Sequence, residues 1–291
     1  MAAIHVNNID ILGSNLRTYN DLIQYRSALQ AATAATGGQV LNGVDFREHS
    51  FNITNSGTMP SYVAPGAAKP VDTATVGVGK LQVEFVAIFK QIGKDMEIGQ
   101  DLNSLANTIL SSAAPQFPKA FDQRFLGRIV AGANVTSVEF DATSAGSATQ
   151  SLSNFVAAYD DTNYEADAVI WTAAGARKLG FTVDADGRVI QGSGVSGGLG
   201  GLLGLPEFTT RGLTGTNLGS ATLMGVVGPF GAGYVANAMG LMVERMEQAT
   251  IDGVGPRENI VNYRLEAANG YANGVDYDNT GRGFTILVDA L

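Results

Sequence analysis

An α+β fold is the class this sequence predicts, and three patterns predict it. Val76 and Val78, then Leu81, Val83, Phe85, Ala87 and Phe89, alternate with a period of two, as a strand requires. Residues 15–35 and 95–114 space their apolar side chains near the helical period instead. Beyond residue 256 the chain returns to long strand-like segments broken only by glycine-rich turns.

In chain order, residues 1–14 read as irregular. The amphipathic helix over 15–35 carries Leu16, Tyr19, Leu22, Ile23, Tyr25 and Leu29, and Gly37-Gly38 ends it. Residues 44–54 form an exposed strand, with Val44, Phe46, His49 and Phe51 in short-range alternation. Residues 55–70 hold three prolines and two glycines and cannot be regular structure. The second strand, 72–89, then completes a hairpin arm. An isolated hairpin is marginal in water, so a partner chain is expected to complete it. The helix over 95–114 has Ile98, Leu102, Leu105, Ile109 and Leu110 on one stripe, and a second piece carries Phe121, Phe125, Leu126 and Ile129. With Pro115 and Pro118 between them, the two read as one long helix with a proline bend. The small-residue stretch 131–150 marks a boundary. A mixed α/β region follows: a helix near 151–160, a buried strand at 168–172, a short helix at 173–181, a turn at Asp186-Gly187, a glycine-rich loop, and strands in LPEFTT, ATLMGVVG, GYVANA and LMVERMEQA.

Composition bounds the function. Only 15% of the 291 residues are charged and 45% are hydrophobic, so a monomer would struggle to cover its surface, and contact with other chains is expected. The formal net charge of −9 and the lack of any basic stripe argue against a phosphate-gripping surface. There is no cysteine, which excludes disulfides and thiolate metal sites, and His5 and His49 are too far apart in sequence to pair readily on a metal. The N-terminus does not read as a signal peptide, and no stretch is apolar enough to span a membrane.

Motifs of catalysis are weak. Gly192, Gly194 and Gly197 match the dinucleotide fingerprint in letter only, since more glycines follow instead of a helix. Asp184 and Asp186 lack the remaining ligands of a calcium loop. Asp160, Asp161, Glu165 and Asp167 read as a solvated helix end, and Trp171 as core. No Ser-His-Asp set, Walker A or HExxH motif occurs. Neither an enzymatic site nor a cofactor is expected.

The order of segments carries a resemblance. SYVAPGAAKPVDTATVGVGKLQVEFVAIFKQIGKDM (61–96), AVIWTAAGARKLGFTVDADGRVI (168–190), LGLPEFTT (203–210), ATLMGVVGPFGAGYVAN (221–237) and RGFTILVDAL (282–291) together resemble the HK97-fold major capsid proteins of tailed dsDNA bacteriophages over nearly the whole chain. The resemblance implies an N-arm (1–43), an E-loop (44–89), a P-domain (90–149 and 256–291) and an A-domain (150–255). It implies hexamers and pentamers in an icosahedral head around dsDNA, with the head assembled in a bacterial host's cytoplasm. It also implies a portal, a decoration protein in some members and, because the N-terminal segment is short, a separate scaffolding protein. Phe51, Tyr62, Val63, Lys69 and Pro70 of the E-loop are expected at a neighbouring subunit. Some members cross-link an E-loop lysine to a P-domain asparagine with a glutamate's help. Asn259 and Glu266 occupy positions resembling the last two, but Gly66 stands where the lysine would be, so no cross-link is expected. An encapsulin-type compartment shell is the alternative within this fold, and a mixed α/β enzyme the more distant one.

Overall fold

The computed structural model describes residues 27–44, 48–54, 76–93, 102–141, 147–157, 166–181, 205–213, 222–246 and 260–289. The first elements are α1 (Ala28–Ala35), β1 (Gln39–Asn42), β2 (His49–Thr54), β3 (Val76–Leu81) and β4 (Val83–Gly93). A segmented helix follows, here called the spine: α2 (Leu102–Ala113), α3 (Gln116–Phe121), a π-helical turn (Asp122–Leu126) and α4 (Gly127–Val130). Then come β5 (Thr136–Glu139), α5 (Ser147–Ala157), β6 (Ala168–Thr172), α6 (Ala173–Phe181), β7 (Glu207–Thr210), β8 (Thr222–Gly228), β9 (Gly233–Met246), β10 (Ile260–Asn273) and β11 (Thr285–Asp289).

The strands form three sheets. β2 and β3 make a two-stranded antiparallel ribbon, the described part of the predicted arm. A four-stranded sheet runs β1-β9-β10-β4, with β10 antiparallel to both long neighbours. A five-stranded mixed sheet runs β5-β11-β8-β6-β7. β11 therefore does not pair with β10, although sequence reading joined them as consecutive long strands. It crosses into the five-stranded sheet and lies between β5 and β8.

The two large sheets are covered differently. Leu152 and Phe155 of α5 and Leu179 of α6 pack on one face of the five-stranded sheet against Val169, Trp171, Met224 and Leu287. Leu29 of α1 and Phe125, Leu126 and Ile129 of the spine pack on the other, against Ile170, Leu223, Val226 and Ile286. The four-stranded sheet meets Leu105, Ile109, Leu110 and Phe117 of the spine with Leu241, Val261, Tyr263 and Leu265. That accounts for one of its faces only.

The predicted proline-bent helix is segmented for identifiable reasons. Ala114-Pro115 separates α2 from α3, with Pro115 at the N-cap of α3. Pro118 does not interrupt the helix as expected: it lies in the first turn of α3, where an N–H would have no intrahelical partner. The arm also differs from expectation at its root. Leu81 is buried with Ala236 and Ala272 of the chain's own sheet, and Phe51 stacks on Tyr234 at 4.4 Å between centroids.

Asp122, at the start of the π turn, is 1% exposed and links three separated segments. Its Oδ1 accepts from Ser27 Oγ (2.6 Å) and the Leu29 N–H (3.2 Å). Its Oδ2 accepts from the Ala28 N–H (3.1 Å) and Thr210 Oγ1 (2.6 Å). The carboxylate thus caps α1 from a distance and ties the end of β7 to the spine. Gly212 makes the approach feasible, because a Cβ there would strike the Lys119 carbonyl and lie 2.8 Å from Asp122 Cβ.

Leu126 is fully buried where the spine meets α1 and the five-stranded sheet. Leu126→Ala is expected to lower unfolding stability by about 2–5 kcal/mol, read by denaturant titration of the dissociated subunit. A loss under about 1 kcal/mol would show that this junction is not a packed core.

Candidate subunit interface

The face of the four-stranded sheet that carries no helix among the described residues is built from strand register. Phe89, Arg264 and Glu244 stand in one row across β4, β10 and β9. Ala87, Glu266 and Met242 form the next row, and Phe85, Ala268 and Met239 the third. A bulge at Gly240 lets Met242 and Met239 share this face although they are three residues apart. Phe85 is 60% exposed, Phe89 41% and Met242 54%. The charges between them are ion-paired, with one positive charge against two negative ones: Arg264 bonds Glu244 at 2.8 Å and Glu266 at 3.3 Å. The result is an apolar patch around a small paired island, the composition of an interface centre with its polar groups already satisfied.

Behind this face, the spine grips β4 through charge. Glu84 accepts from Arg124 Nε at 2.7 Å and from the Arg128 guanidinium. Burial pushes the Glu84 carboxyl up, but its hydrogen bonds to Arg124 and Arg128 and their positive charges outweigh that, leaving it below the usual carboxylate range. Arg128 also lies 5.5 Å over the Phe125 ring. A shallow cleft of about 310 Å³ opens here, lined by residues including Glu84, Val86, Phe121 and Arg124. It offers an ion pair and apolar walls. Among the described residues no group of three or more histidines, aspartates or glutamates is placed to hold a metal.

Most of the expected site residues are not among those the structure describes. Tyr62, Val63, Gly66, Lys69, Pro70 and Asn259 are outside the described residues, as are Gly192, Gly194, Gly197, Asp184, Asp186, Asp160, Asp161, Glu165 and His5. Phe51 is engaged with Tyr234 of its own chain. Glu266 belongs to the patch and pairs with Arg264. His49 opens β2, with Leu81 as its cross-strand partner. Trp171 is core as expected, its indole N–H reaching Glu207 at 3.1 Å. Asp167 differs from the solvated helix end predicted for it. It is half-buried and accepts from the backbone N–H groups of Phe230 (2.8 Å) and Gly231, anchoring the turn into β9.

Two features escaped sequence reading, and each left a signal. β4 is apolar at both parities, with Phe85, Ala87 and Phe89 alternating with Val86, Ile88 and Ile92. A strand buried on one side only would not need both sets. Asp122 shares the spacing of Phe125, Leu126 and Ile129, which places a carboxylate on a buried helix stripe.

No protein-family model matches this chain, and no curated protein matches its sequence. Solved structures do match. One from Mycobacterium phage Bobi superposes with a TM-score of 0.62 at 16% identity, over 91% of each chain. One from Gordonia phage Cozz gives 0.63 at 13% identity, over 91% of this chain and 87% of the other. The capsid of a native GTA particle gives 0.59 at 17% identity, over 91% of each.

Glu84→Gln should lower stability by about 0.5–1 kcal/mol near neutral pH, because its arginine partners are partly solvated. A depressed carboxyl contributes above its unfolded pKa and ceases to contribute as pH falls through its folded one. Denaturant titrations should therefore show the variant and the parent converging once the pH has fallen below the ordinary carboxylate range; a gap that persists in strong acid would contradict the ion-pair account.

The likeness spans about nine-tenths of the chain, and the chain has the HK97-type capsid fold.

Proposed function

We propose that this chain is the major capsid protein of a tailed dsDNA phage, a shell subunit whose work is self-association. The observation that carries the reading is the open apolar face of a sheet whose other face packs on the spine. Burying a Phe or Met side chain is worth about 1.5–3 kcal/mol, so Phe85, Phe89 and Met242 together supply a substantial drive toward a covering surface. Repeated identical contacts between unlike surfaces close into rings, which accounts for hexamers and pentamers of one chain.

In this reading the arm of one subunit lies across its neighbour. The neighbour-facing side chains are Tyr62, Val63, Lys69 and Pro70, beyond the arm's root, where Phe51 stacks on Tyr234 of its own chain. The acidic chain encloses dsDNA without gripping its sequence, since a net charge of −9 repels phosphate. A separate scaffolding protein guides assembly, a portal interrupts the shell at one vertex, and decoration proteins bind outside. The particle forms in the host cytoplasm and leaves as the virion head. No reaction is assigned to it, and the likeness to a GTA capsid structure supports the same architectural role.

Phe89→Asp combined with Met242→Asp tests this directly. Both positions are exposed, so the variant should keep the parent's circular dichroism and melting profile. It should nevertheless fail to form large particles by size-exclusion chromatography and negative-stain microscopy when co-expressed with its phage's assembly genes. Normal shells from the double variant would overturn the reading.

A further inference from the structure

We propose that Met242 is a modification site on the open sheet face: a peroxide oxidises its thioether in the free subunit, and the sulfoxide so formed hinders self-association. The inference rests on the shell reading and adds a regulation to that same face.

Met242 is open for a structural reason. β9 runs to Met246, but β1 pairs with it only as far as Asn237. Beyond that point β10 is the one strand hydrogen-bonded to β9 among the described residues. The bulge at Gly240 then sets Met239 and Met242 on the face that carries no helix. Met242 is 54% exposed, whereas Met224 is 1% exposed inside the core. Met239 is half-buried. The chain has no cysteine, so no thiol intercepts the oxidant first.

The reaction needs only the peroxide. A lone pair on sulfur attacks one peroxide oxygen, the S–O bond forms and the O–O bond breaks. The proton of the transferred oxygen passes to the departing hydroxide, which leaves as water. Sulfur is oxidised and the peroxide reduced. The side chain loses apolar character and gains a hydrogen-bond acceptor.

What that acceptor meets decides the outcome. Arg264 is the cation of this patch, and Glu244 and Glu266 already share it. Glu266 stands directly beside Met242 in the strand register. A sulfoxide oxygen there competes with two carboxylates for one guanidinium. In the free subunit, water satisfies the new acceptor. When a second copy covers the face, water leaves and the acceptor has no donor of its own. Oxidation therefore weakens the covered state and not the folded subunit. In the assembled shell the sulfur is shielded, so the oxidant acts on subunits that have not yet assembled.

Folded subunits dissociated from particles are treated with dilute hydrogen peroxide. Oxidised positions are mapped by peptide mass spectrometry, and reassociation is followed by light scattering. Met242 should become sulfoxide faster than Met239 or Met224. The treated subunits should keep their circular dichroism and reassociate about tenfold more weakly, the cost of one buried acceptor without a donor. Met242→Leu, whatever its own affinity, should reassociate equally with and without peroxide. In cells without added oxidant, Met242→Gln, which sets an amide at the same place, should yield fewer particles than Met242→Leu. Three results would each overturn the proposal: subunits carrying Met242 sulfoxide that reassociate like untreated ones, an equal peroxide loss in Met242→Leu, or equal particle yields from the two variants. The shell reading would survive any of them so long as Phe89→Asp with Met242→Asp abolishes particles.

Discussion

A sheet whose two sides are both lined with apolar side chains must hide both from water. In this chain the five-stranded sheet does so internally, with α5 and α6 on one side and α1 with the spine on the other. Among the described residues, the four-stranded sheet has a helix, the spine, on one side only. Its other side keeps Phe85, Phe89 and Met242 substantially exposed around an ion-paired Arg264-Glu244-Glu266 island. Low overall charge, long strands and an arm rooted on the same sheet all make sense once this second side is taken as a docking surface.

The spine is what keeps the two sheets in register with one another. Its first half packs on the four-stranded sheet and its second half on the five-stranded one. The change of partner falls beside the π turn, where Asp122 gathers the start of α1 and the end of β7. A wide helical turn is often retained where a side chain must be aimed at something, and here it presents a carboxylate to donors from two distant segments. One helix thus serves as core for both halves, and a single buried acid holds their junction.

The sequence was most readable where local pattern and burial agree. The strand at 168–172 and the helix at 173–181 have the bounds predicted for them, because four consecutive apolar residues and a threonine lead directly into an alanine-rich helix start. β9 read as two strands, since the bulge around Gly240 breaks the alternation that joins GYVANA to LMVERM. β3 and β4 read as one, because the break at Gln82 leaves the apolar period intact. β11 could not be assigned to its sheet from local pattern, since strand partners are chosen by tertiary contact. The candidate interface was legible in part. Glu266 and the alternating β4 residues were in view, but their exposure depends on which side the spine covers. Asp122 takes its donors from residues 88 to 95 positions away, a distance that no local pattern reveals.

The central claim is that the helix-free side of the four-stranded sheet is covered by another copy of this chain. Hydroxyl-radical footprinting of Met242 and Phe89, compared between assembled particles and dissociated folded subunits, measures that covering directly. The account predicts rapid oxidation in subunits and strong protection in particles. Equal oxidation of both residues in the two states would contradict it.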